Sequence, residues 1–375
     1  MKTPPEVHAA RLTGESSAGS ILVEVYALTD VGRTREHNED AYVVSDLSRG
    51  TPLAFDTSVQ QRVGSRGLLF MVADGMGGAA AGELASATAV DVVLRHLREQ
   101  WTTATSIAPD EFVGALERAA VTANGVIYRY AAEHAEVRGM GTTATIAGLL
   151  GDTVYLAQVG DSRAYLVRDG HARQLTKDQS LIQKLIEAGD MTEEQAELSE
   201  RKNIILQALG PEANIKVDLT HQQVRRGDVL VLCSDGLSGL VRGDEIARAV
   251  REEPDLLSAC TRLVGIANDK GGPDNITVVA ARFDGAGLRR ALPEDPVGHQ
   301  LYERPQLSIP SGADLDTLLR ERTEAMMRGA PIEPFPVAVR EERRQQGLMI
   351  RAALVAAAVL LGLFLAWRWY GRLGA

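Results

Sequence analysis

The sequence predicts an α+β fold, and two observations carry that prediction. Its β-rich and helical runs arrive in groups along the chain rather than in strict alternation, as they do in α+β proteins. Residues 67–82, GLLFMVADGMGGAAAG, have the pattern of a strand buried on both faces that leads through glycines into a helix. The chain of 375 residues, 45% of them hydrophobic, is long enough for one large domain or two ordinary ones.

The elements of the first part of the chain follow from the spacing of its apolar residues. The polar loop 30–40, DVGRTREHNED, separates two strand-like runs, and residues 45–65 are predicted to form a long hairpin connection. A proline at a first helical position is favourable, which supports a helix start at Pro109. We expect strands at 21–28, 41–44 and 68–73, and helices at 83–100 and from 109 onward.

The second part of the chain is richer in short strands. Three β-rich runs are split by Gly151-Asp152 and Gly160-Asp161, which predicts an antiparallel meander. Thr192-x-x-Gln195 has the spacing of a capping box at the start of a short helix. We expect strands at 142–149, 153–159, 163–168, 228–233 and 276–283, and helices at 178–188, 244–250 and 254–268.

The two ends of the chain differ in composition from the part between them. Residues 1–20 are small, polar and proline-containing, which predicts a flexible extension. Seven of the fourteen prolines lie between Pro293 and Pro336, so we expect a proline-rich linker at 285–347. Residues 21–284 are then expected to form the folded domain.

Residues 348–367, LMIRAALVAAAVLLGLFLAW, are predicted to form a transmembrane helix. Their number suffices to cross a bilayer, and Arg351 lies near the start, where its side chain can reach the interface. Arginines are more numerous before the segment than after it, and the N-terminus lacks the apolar region of a secretory signal. We therefore expect a cytoplasmic domain held at the cell membrane by a single span, with a short tail at 368–375.

Charge and cysteine content argue against two common classes of site. The formal net charge is −10, whereas binding to a nucleic-acid backbone requires a basic face, so no nucleic-acid partner is expected. Cys233 and Cys260 lie in apolar runs without disulfide or zinc spacing, and we expect both to be small core residues.

Asp74-Gly75, at the end of the predicted strand 68–73, is the first candidate site. A carboxylate at the end of a buried strand needs a partner, and the glycines around it allow close approach of the backbone. Three interpretations are open at this point: a cation site, a dinucleotide-binding turn, and a simple glycine-rich turn. Asp74 argues against the dinucleotide, because its negative charge would lie beside the phosphates.

The same combination of a strand end and a carboxylate recurs through the domain. Predicted strands lead into Asp161 and Asp235, Asp274 precedes the last strand, and Glu39-Asp40 precedes the second. Clustered carboxylates repel one another unless cations neutralise them. A ligand set made only of oxygens favours Mg²⁺ or Mn²⁺ over zinc.

Such a set suggests phosphoryl chemistry. Two hard cations bridged by one aspartate can lower the pKa of a shared water and hold both oxygens of an in-line displacement. Hydrolysis then needs no covalent intermediate. Arg35 is placed in the sequence to bind the phosphoryl oxygens bidentately, which would make it a catalytic and substrate-binding residue.

Seven short motifs, in this order, resemble those of the metal-dependent, type 2C serine/threonine protein phosphatases, most closely the bacterial branch. They are Arg35-x-x-Asn38-Glu39-Asp40, Val72-Ala73-Asp74-Gly75-Met76-Gly77-Gly78, Gly139-Met140-Gly141-Thr142-Thr143, Val159-Gly160-Asp161-Ser162-Arg163, Leu175-Thr176-x-Asp178, Ser234-Asp235-Gly236-Leu237 and Asp274-Asn275-Ile276-Thr277. The resemblance covers residues 21–284. It implies a central antiparallel β-sandwich flanked by helices on both faces, in four layers α-β-β-α, with the metals in a cleft at one end.

The resemblance also implies a role for each carboxylate. Asp74 would bridge two ions, Mn²⁺ or Mg²⁺, and would be catalytic, while Gly75 would bind through its carbonyl oxygen. The remaining metal ligands would be Asp235 and Asp274 on one ion, Glu39 on the second, Asp40 through water, and Asp161 at a third, weaker site. Residues 183–203 would form a flap beside the cleft.

Two positions depart from the family pattern. Met76 stands where some members have a histidine proposed as a general acid, and Ser199-Glu200 stands where a His-Pro pair is common. Because no metal-ligand position is lost, an active phosphatase is favoured over a pseudophosphatase that binds phosphoproteins without turnover. The further hypothesis of a dinucleotide-dependent oxidoreductase is supported by the glycines alone and is opposed by Asp74.

The expected partners follow from this activity and from the predicted span. We expect phosphorylated proteins as substrates, hydrolysed at phosphoserine and phosphothreonine by a water that the two ions activate. A serine/threonine protein kinase and its substrates are the natural candidates, and the membrane is contacted through 348–367.

Overall fold

The computed structural model describes residues 19–303, except residue 56 and the short stretches 193–194, 197–198 and 200–203. Nearly all of the predicted N-terminal extension lies outside the described residues, as do most of the predicted linker, the predicted span 348–367 and the tail 368–375. None of the helices that the structure describes is long and apolar enough to cross a membrane.

The described strands form two antiparallel sheets. In chain order they are β1 (Leu22–Asp30), β2 (Asp40–Asp46), β3 (Thr51–Pro52), β4 (Val59–Arg62), β5 (Leu68–Met76), β6 (Gly141–Thr142), β7 (Ala144–Leu150), β8 (Thr153–Val159), β9 (Arg163–Arg168), β10 (His171–Gln174), β11 (Asp218–Gln223), β12 (Val229–Cys233) and β13 (Ile276–Asp284). The first sheet has the order β10-β9-β12-β13-β1-β4. The second has the order β11-β8-β7-β5-β2-β3, and β6 pairs with the end of β5.

Helices cover the outer face of each sheet. In chain order they are α1 (Ala79–His96), α2 (Pro109–Glu133), α3 (Leu181–Ala188), α4 (Asp235–Ser238), α5 (Gly243–Glu252) and α6 (Leu256–Asp269). Helices α1 and α2 pack on the second sheet, while α5 and α6 pack on the first. The α+β fold with antiparallel sheets and flanking helices is therefore confirmed, including its four layers.

Alternation along each strand separates two apolar cores. In β1, Val23 and Val25 point between the sheets, whereas Tyr26 points toward the helices that cover the first sheet. Successive side chains of a strand face opposite ways, so a strand packed on both sides can be apolar throughout. Cys233 and Cys260 are both free and buried in the core under α5 and α6, as predicted.

The predicted antiparallel meander is wrong in its second half. Strands β7 and β8 form a hairpin, but β9 leaves the second sheet and pairs with β12 in the first. The chain changes sheets at Gly160, whose φ of +102° suits glycine and whose added Cβ would lie 2.7 Å from Thr143 Cγ2. A Gly-Asp turn between two β-rich runs has the same local pattern in a hairpin and in a crossing between sheets. The crossing was not predictable from this pattern, because β12, the partner of β9, lies far along the chain.

Two further boundaries differ from the prediction. Strand β5 runs on to Met76, so Asp74 and Gly75 lie inside it and pair with Asp40 and Thr142. Helix α1 begins at Ala79 and continues into a turn of π-helix at Leu97–Trp101. The predicted connection 45–65 contains the short strands β3 and β4.

Residues 285–303, which we call the strap, pack against the domain where a linker was predicted. Leu288 is 2% exposed and belongs to the core between the sheets. Farther along, the Asp295 carboxylate pairs with Arg225 at 2.9 Å, and the Tyr302 hydroxyl donates to Asp110 Oδ1 at 2.6 Å. The folded domain therefore continues past Asp284, and only two of the seven prolines counted above, Pro293 and Pro296, lie in the strap.

We expect Leu288→Ala to lower the free energy of unfolding by about 3 kcal/mol, because it removes a buried side chain and leaves a cavity. Leu292→Ala is the matched control in the same strap, since Leu292 is 47% exposed, and it should change that energy by no more than about 0.5 kcal/mol. Urea unfolding of the two variants measures both quantities. Equal, small effects would mean that the strap does not belong to the folded core.

Candidate metal centre

The predicted carboxylates meet at one end of the sandwich. Asp40 is the first residue of β2 and lies directly opposite Asp74 of β5 in the second sheet. From the first sheet, Asp235 opens α4 after β12, and its carboxylate lies close enough to raise the pKa of Asp74. Asp274 lies just before β13, close enough to raise the pKa of both Asp74 and Asp235.

Burial and mutual repulsion make the charged form of these groups unfavourable. Burial is the larger cause and the neighbouring carboxylates add to it, so that the pKa of Asp40 and of Asp161 is raised to about 7. The pKa of Asp74 is raised well above its usual value, and the pKa of Asp235 and of Glu39 is also raised, chiefly by burial. A cation bound here would offset this repulsion.

Two buried carboxylate oxygens have no hydrogen-bond partner among the described residues. They are Oδ1 of Asp40 and Oδ1 of Asp161, both buried. Buried polar atoms are nearly always paired, so such oxygens fit a cation or its bound water. No three His, Cys, Asp or Glu side chains of the described residues converge on a single point. The expected ligands, however, also include the Gly75 carbonyl oxygen and water, which are not side chains.

Hydrogen bonds to the backbone fix Asp74 in position. Its N–H donates to Thr143 Oγ1 at 3.0 Å, and its carbonyl oxygen accepts from Thr143 N and from the Thr142 hydroxyl, both at 2.9 Å. The next residue must be glycine, because a Cβ on Gly75 would lie 2.3 Å from Gly82 O. The close approach of α1 to the end of β5 therefore depends on the Asp-Gly pair.

Glu39 is held by residues to which sequence reasoning gave no role. Its N–H donates to Asn275 Oδ1 at 2.8 Å, and its carbonyl oxygen accepts from Ser86 Oγ at 2.6 Å. The Asn275 amide also donates to the carbonyl oxygens of Val31 and His37, so one side chain ties the loop before β2 to the start of β13. Asn275 was visible as part of the Asp274-Asn275 motif, but its function in the site required the fold.

Arg35 lies at the rim of this set. Its Nη2 donates to Asp274 Oδ2 at 2.9 Å, and its Nη1 is 3.9 Å from Glu39 Oε1. The hydrogen bond to Asp274 and the nearby carboxylates raise its pKa, so the guanidinium stays charged. Its side chain is 46% exposed, which leaves it accessible to a substrate phosphate. Sequence reasoning predicted the phosphate role but not the contact with Asp274.

Asp161 directly follows Gly160, on the crossing between the sheets. Burial is the largest cause of its raised pKa, and the Asp235 carboxylate raises the pKa further, whereas Arg163 lowers it. Arg163 is itself fixed by a bidentate pair with Asp178, with Nε 2.9 Å from Oδ1 and Nη2 2.7 Å from Oδ2. A third site, as predicted, would therefore border a charged network that sequence reasoning did not assign.

The structure describes one departure from the family pattern and part of the second. Met76, the last residue of β5, carries no ionisable proton. In the predicted flap, α3 is capped by Ser180, whose side chain accepts from Gln183 N. The predicted capping box is confirmed by the reciprocal bonds of Thr192 and Gln195, at 2.9 and 3.3 Å. Glu200 lies outside the described residues.

Both a family model and individual proteins of known name match this chain along its folded domain. The family model described as protein phosphatase 2C matches residues 45–279. Serine/threonine phosphatase stp of Listeria monocytogenes is 36% identical over 257 residues, which covers 68% of this chain and 94% of that protein. Serine/threonine protein phosphatase PstP of Mycobacterium tuberculosis is 34% identical over 70% of this chain and 45% of that protein.

Solved structures that are similar to this chain are also serine/threonine phosphatases. The S. agalactiae serine/threonine phosphatase is similar with a TM-score of 0.60 and 33% identity, covering 69% of this chain and 99% of that one. The catalytic domain of PstP in complex with two manganese ions is similar with a TM-score of 0.56 and 32% identity, covering 70% and 99%.

The raised pKa values predict how stability depends on pH when a chelator is present. An aspartate binds its proton more tightly in the folded than in the unfolded protein, so stability should fall as pH rises from about 4 to about 7. Thermal unfolding at several pH values in EDTA measures this, and excess Mn²⁺ should restore the loss because it binds the folded form.

Asp161→Asn cannot ionise and should reduce that slope. Asp190→Asn, the same change at an exposed position, is the control and should leave the slope as in the wild type. A melting temperature that rises with pH over this range in EDTA would contradict the assignment of these groups.

Proposed function

Because this chain belongs to the protein phosphatase 2C family, we propose that it is a metal-dependent protein serine/threonine phosphatase. One observation supports this most: carboxylates from both sheets meet at one rim with buried, unpartnered oxygens at Asp40 and Asp161. Relatives that match it along the domain are named serine/threonine phosphatases. The substrates are then phosphoserine and phosphothreonine on proteins.

The residues that would hold Mn²⁺ or Mg²⁺ are the expected carboxylates and one carbonyl oxygen. They are Asp74, Gly75, Glu39, Asp40, Asp235 and Asp274 for two ions, with Asp161 at a third site. When bound, two ions would supply an activated water and would neutralise charge on the phosphoryl oxygens. The oxygen-only donor set fits these metals, and PstP, a relative, has been solved with two manganese ions.

The protein's own contribution is position and charge. Hydrogen bonds from Asp74 N–H to Thr143 and from Glu39 N–H to Asn275 hold the main chain of two mutually repelling residues in place. Arg35, charged and accessible at the rim, would orient the phosphate by paired N–H···O bonds. Met76 donates no proton, so protonation of the leaving group would come from water or another residue.

We also propose that the segment 348–367 anchors the protein in the cell membrane, with the catalytic domain in the cytoplasm. The support is the apolar sequence itself and the arginines that precede it. Tethering would raise the effective concentration of the enzyme near membrane-bound phosphoproteins. A serine/threonine kinase with a membrane span, together with its substrates, is the partner that suits this arrangement.

The direct test of function is phosphate release from a phosphothreonine peptide. We expect release that requires Mn²⁺ or Mg²⁺ and stops in excess EDTA. Asp74→Asn should abolish nearly all turnover, because it removes charge from the proposed bridge between the ions. In EDTA this variant should unfold at a temperature no lower than the wild type, since it removes a repelling carboxylate. Full activity in EDTA, or wild-type activity of the variant, would refute the proposal.

Arg35→Ala tests the phosphate contact separately from the metals. We expect kcat/KM on the peptide to fall. The loss of transition-state stabilisation should be about 2 kcal/mol, the scale of a charge-assisted hydrogen bond. Calorimetric titration with Mn²⁺ should show no loss of affinity, because the guanidinium pairs with Asp274 and does not bind cations. Arg35→Lys keeps the charge without the planar guanidinium, so its kcat/KM should lie between those of the wild type and Arg35→Ala. Weaker Mn²⁺ binding in Arg35→Ala would instead give Arg35 a structural role.

The membrane proposal is tested with two forms of the protein. The full chain should sediment with membranes and resist high salt, because apolar burial is insensitive to ionic strength. A chain that ends after Glu303 keeps the whole strap and every proposed ligand, so it should stay in the supernatant with the peptide activity of the full chain. A full chain that remains in the supernatant would overturn the anchor.

A further inference from the structure

Ser234 is a buried hydroxyl that joins the two sheets at the metal centre. It lies at the end of β12 in the first sheet, directly before Asp235, and is 0% exposed. Its Oγ donates to Asp40 Oδ2 in the second sheet at 2.8 Å. Ser234 is therefore in contact with one proposed ligand and adjacent in sequence to another.

The surroundings of Ser234 Oγ fix the direction of this hydrogen bond. An ionised carboxylate can only accept, so the Ser234 hydroxyl is the donor, while its oxygen accepts from the backbone N–H of Thr277 at 2.9 Å. The other acceptor near this hydroxyl, Asn275 O, is farther away at 3.4 Å. Oδ2 of Asp40 then receives a proton donor, whereas Oδ1 has no hydrogen-bond partner among the described residues. The two oxygens of this carboxylate thereby differ in their surroundings.

The backbone of Asp40 is held from the same side. Its N–H donates to Asn38 Oδ1 at 3.1 Å, and the Asn38 amide donates to Thr29 Oγ1 at 2.8 Å. The Thr29 hydroxyl is in turn 2.7 Å from the hydroxyl of Thr277. Both the main chain and the side chain of Asp40 are thus fixed through Thr277 of β13.

We propose that Ser234 is a positioning residue for Asp40, and that its hydroxyl fixes the carboxylate so that Oδ1 serves the cation shared with Glu39. The inference rests on the proposed function for the identity of the cation. Outer-shell hydrogen bonds to metal ligands typically change metal affinity by about 10- to 100-fold. Ser234 would act on the second ion, through Asp40, without touching the substrate.

The test is calorimetric titration of the metal-stripped full chain with Mn²⁺. In Ser234→Ala, we expect one of the Mn²⁺ affinities to fall by about tenfold. Ser234→Cys keeps the size but is a weak donor, and it should show a similar loss. Ser234→Thr keeps the hydroxyl and should bind close to wild type if its extra methyl group is accommodated.

Ser45→Ala is the matched control. Ser45 is also 0% exposed and lies on β2, the strand of Asp40, but its hydroxyl donates to Thr51 O away from the centre. It should leave every Mn²⁺ affinity unchanged. Thermal unfolding in EDTA confirms that each variant is folded before titration, and Ser234→Cys decides the question if Ser234→Thr does not fold.

The outcomes separate this inference from the proposed function. Wild-type Mn²⁺ affinities in both Ser234→Ala and Ser234→Cys would overturn the positioning role, as would an equal loss in Ser45→Ala. A wild-type protein that binds Mn²⁺ but releases no phosphate would refute the phosphatase proposal, and the calorimetry would still decide the role of Ser234. A wild-type protein that binds no Mn²⁺ would overturn both.

Discussion

Repulsion among buried carboxylates is the constraint on which the rest of this structure depends. Burial and neighbouring charges raise the pKa of Asp74, Asp40 and Asp235, so the charged forms are unfavourable without a counter-ion. Neutral groups hold them: Thr143 and Asn275 accept from the main-chain N–H of Asp74 and Glu39, and the Ser234 hydroxyl donates to the Asp40 carboxylate. Contacts to the main chain leave the carboxylate oxygens unoccupied, and the Ser234 contact occupies one oxygen of Asp40. The cluster is therefore fixed in place while some lone pairs remain for a cation.

The sandwich explains why these groups meet at all. The register of β2 on β5 sets Asp40 against Asp74 in one sheet, and the ends of β12 and β13 bring Asp235 and Asp274 from the other. Neither sheet carries the full set, so the centre exists only when the two sheets are packed together. Binding of a cation there is consequently linked to folding of the whole domain, because the unfolded chain has no comparable site.

The sequence allowed the strands and the carboxylates of the candidate site to be identified, because both have local signatures. Strands 153–159 and 163–168 were predicted with their observed bounds, and the carboxylates stood out as charges at strand ends. The crossing at Gly160 was missed, since the partner of β9 lies far along the chain. The strap was missed because it was grouped with the proline-rich stretch after it, although only Pro293 and Pro296 lie in the strap itself. Its contacts through Leu288 and Asp295 have no repeating pattern in the sequence. Ser234 and Asn275 lacked a role for the same reason: a small polar residue shows its function only through contacts brought by folding.

The strap has a further consequence, which concerns how separate molecules of this protein interact. Strand β11 forms one edge of the second sheet, and an unpaired edge offers free N–H and C=O groups to strands of other chains. The strap occupies part of that edge: His221 N donates to Gln300 O at 3.0 Å, and Tyr302 N donates to Leu219 O at 2.9 Å. The same segment that completes the core thus protects the sheet against edge-to-edge aggregation, so a chain ended at residue 284 would lose solubility along with stability.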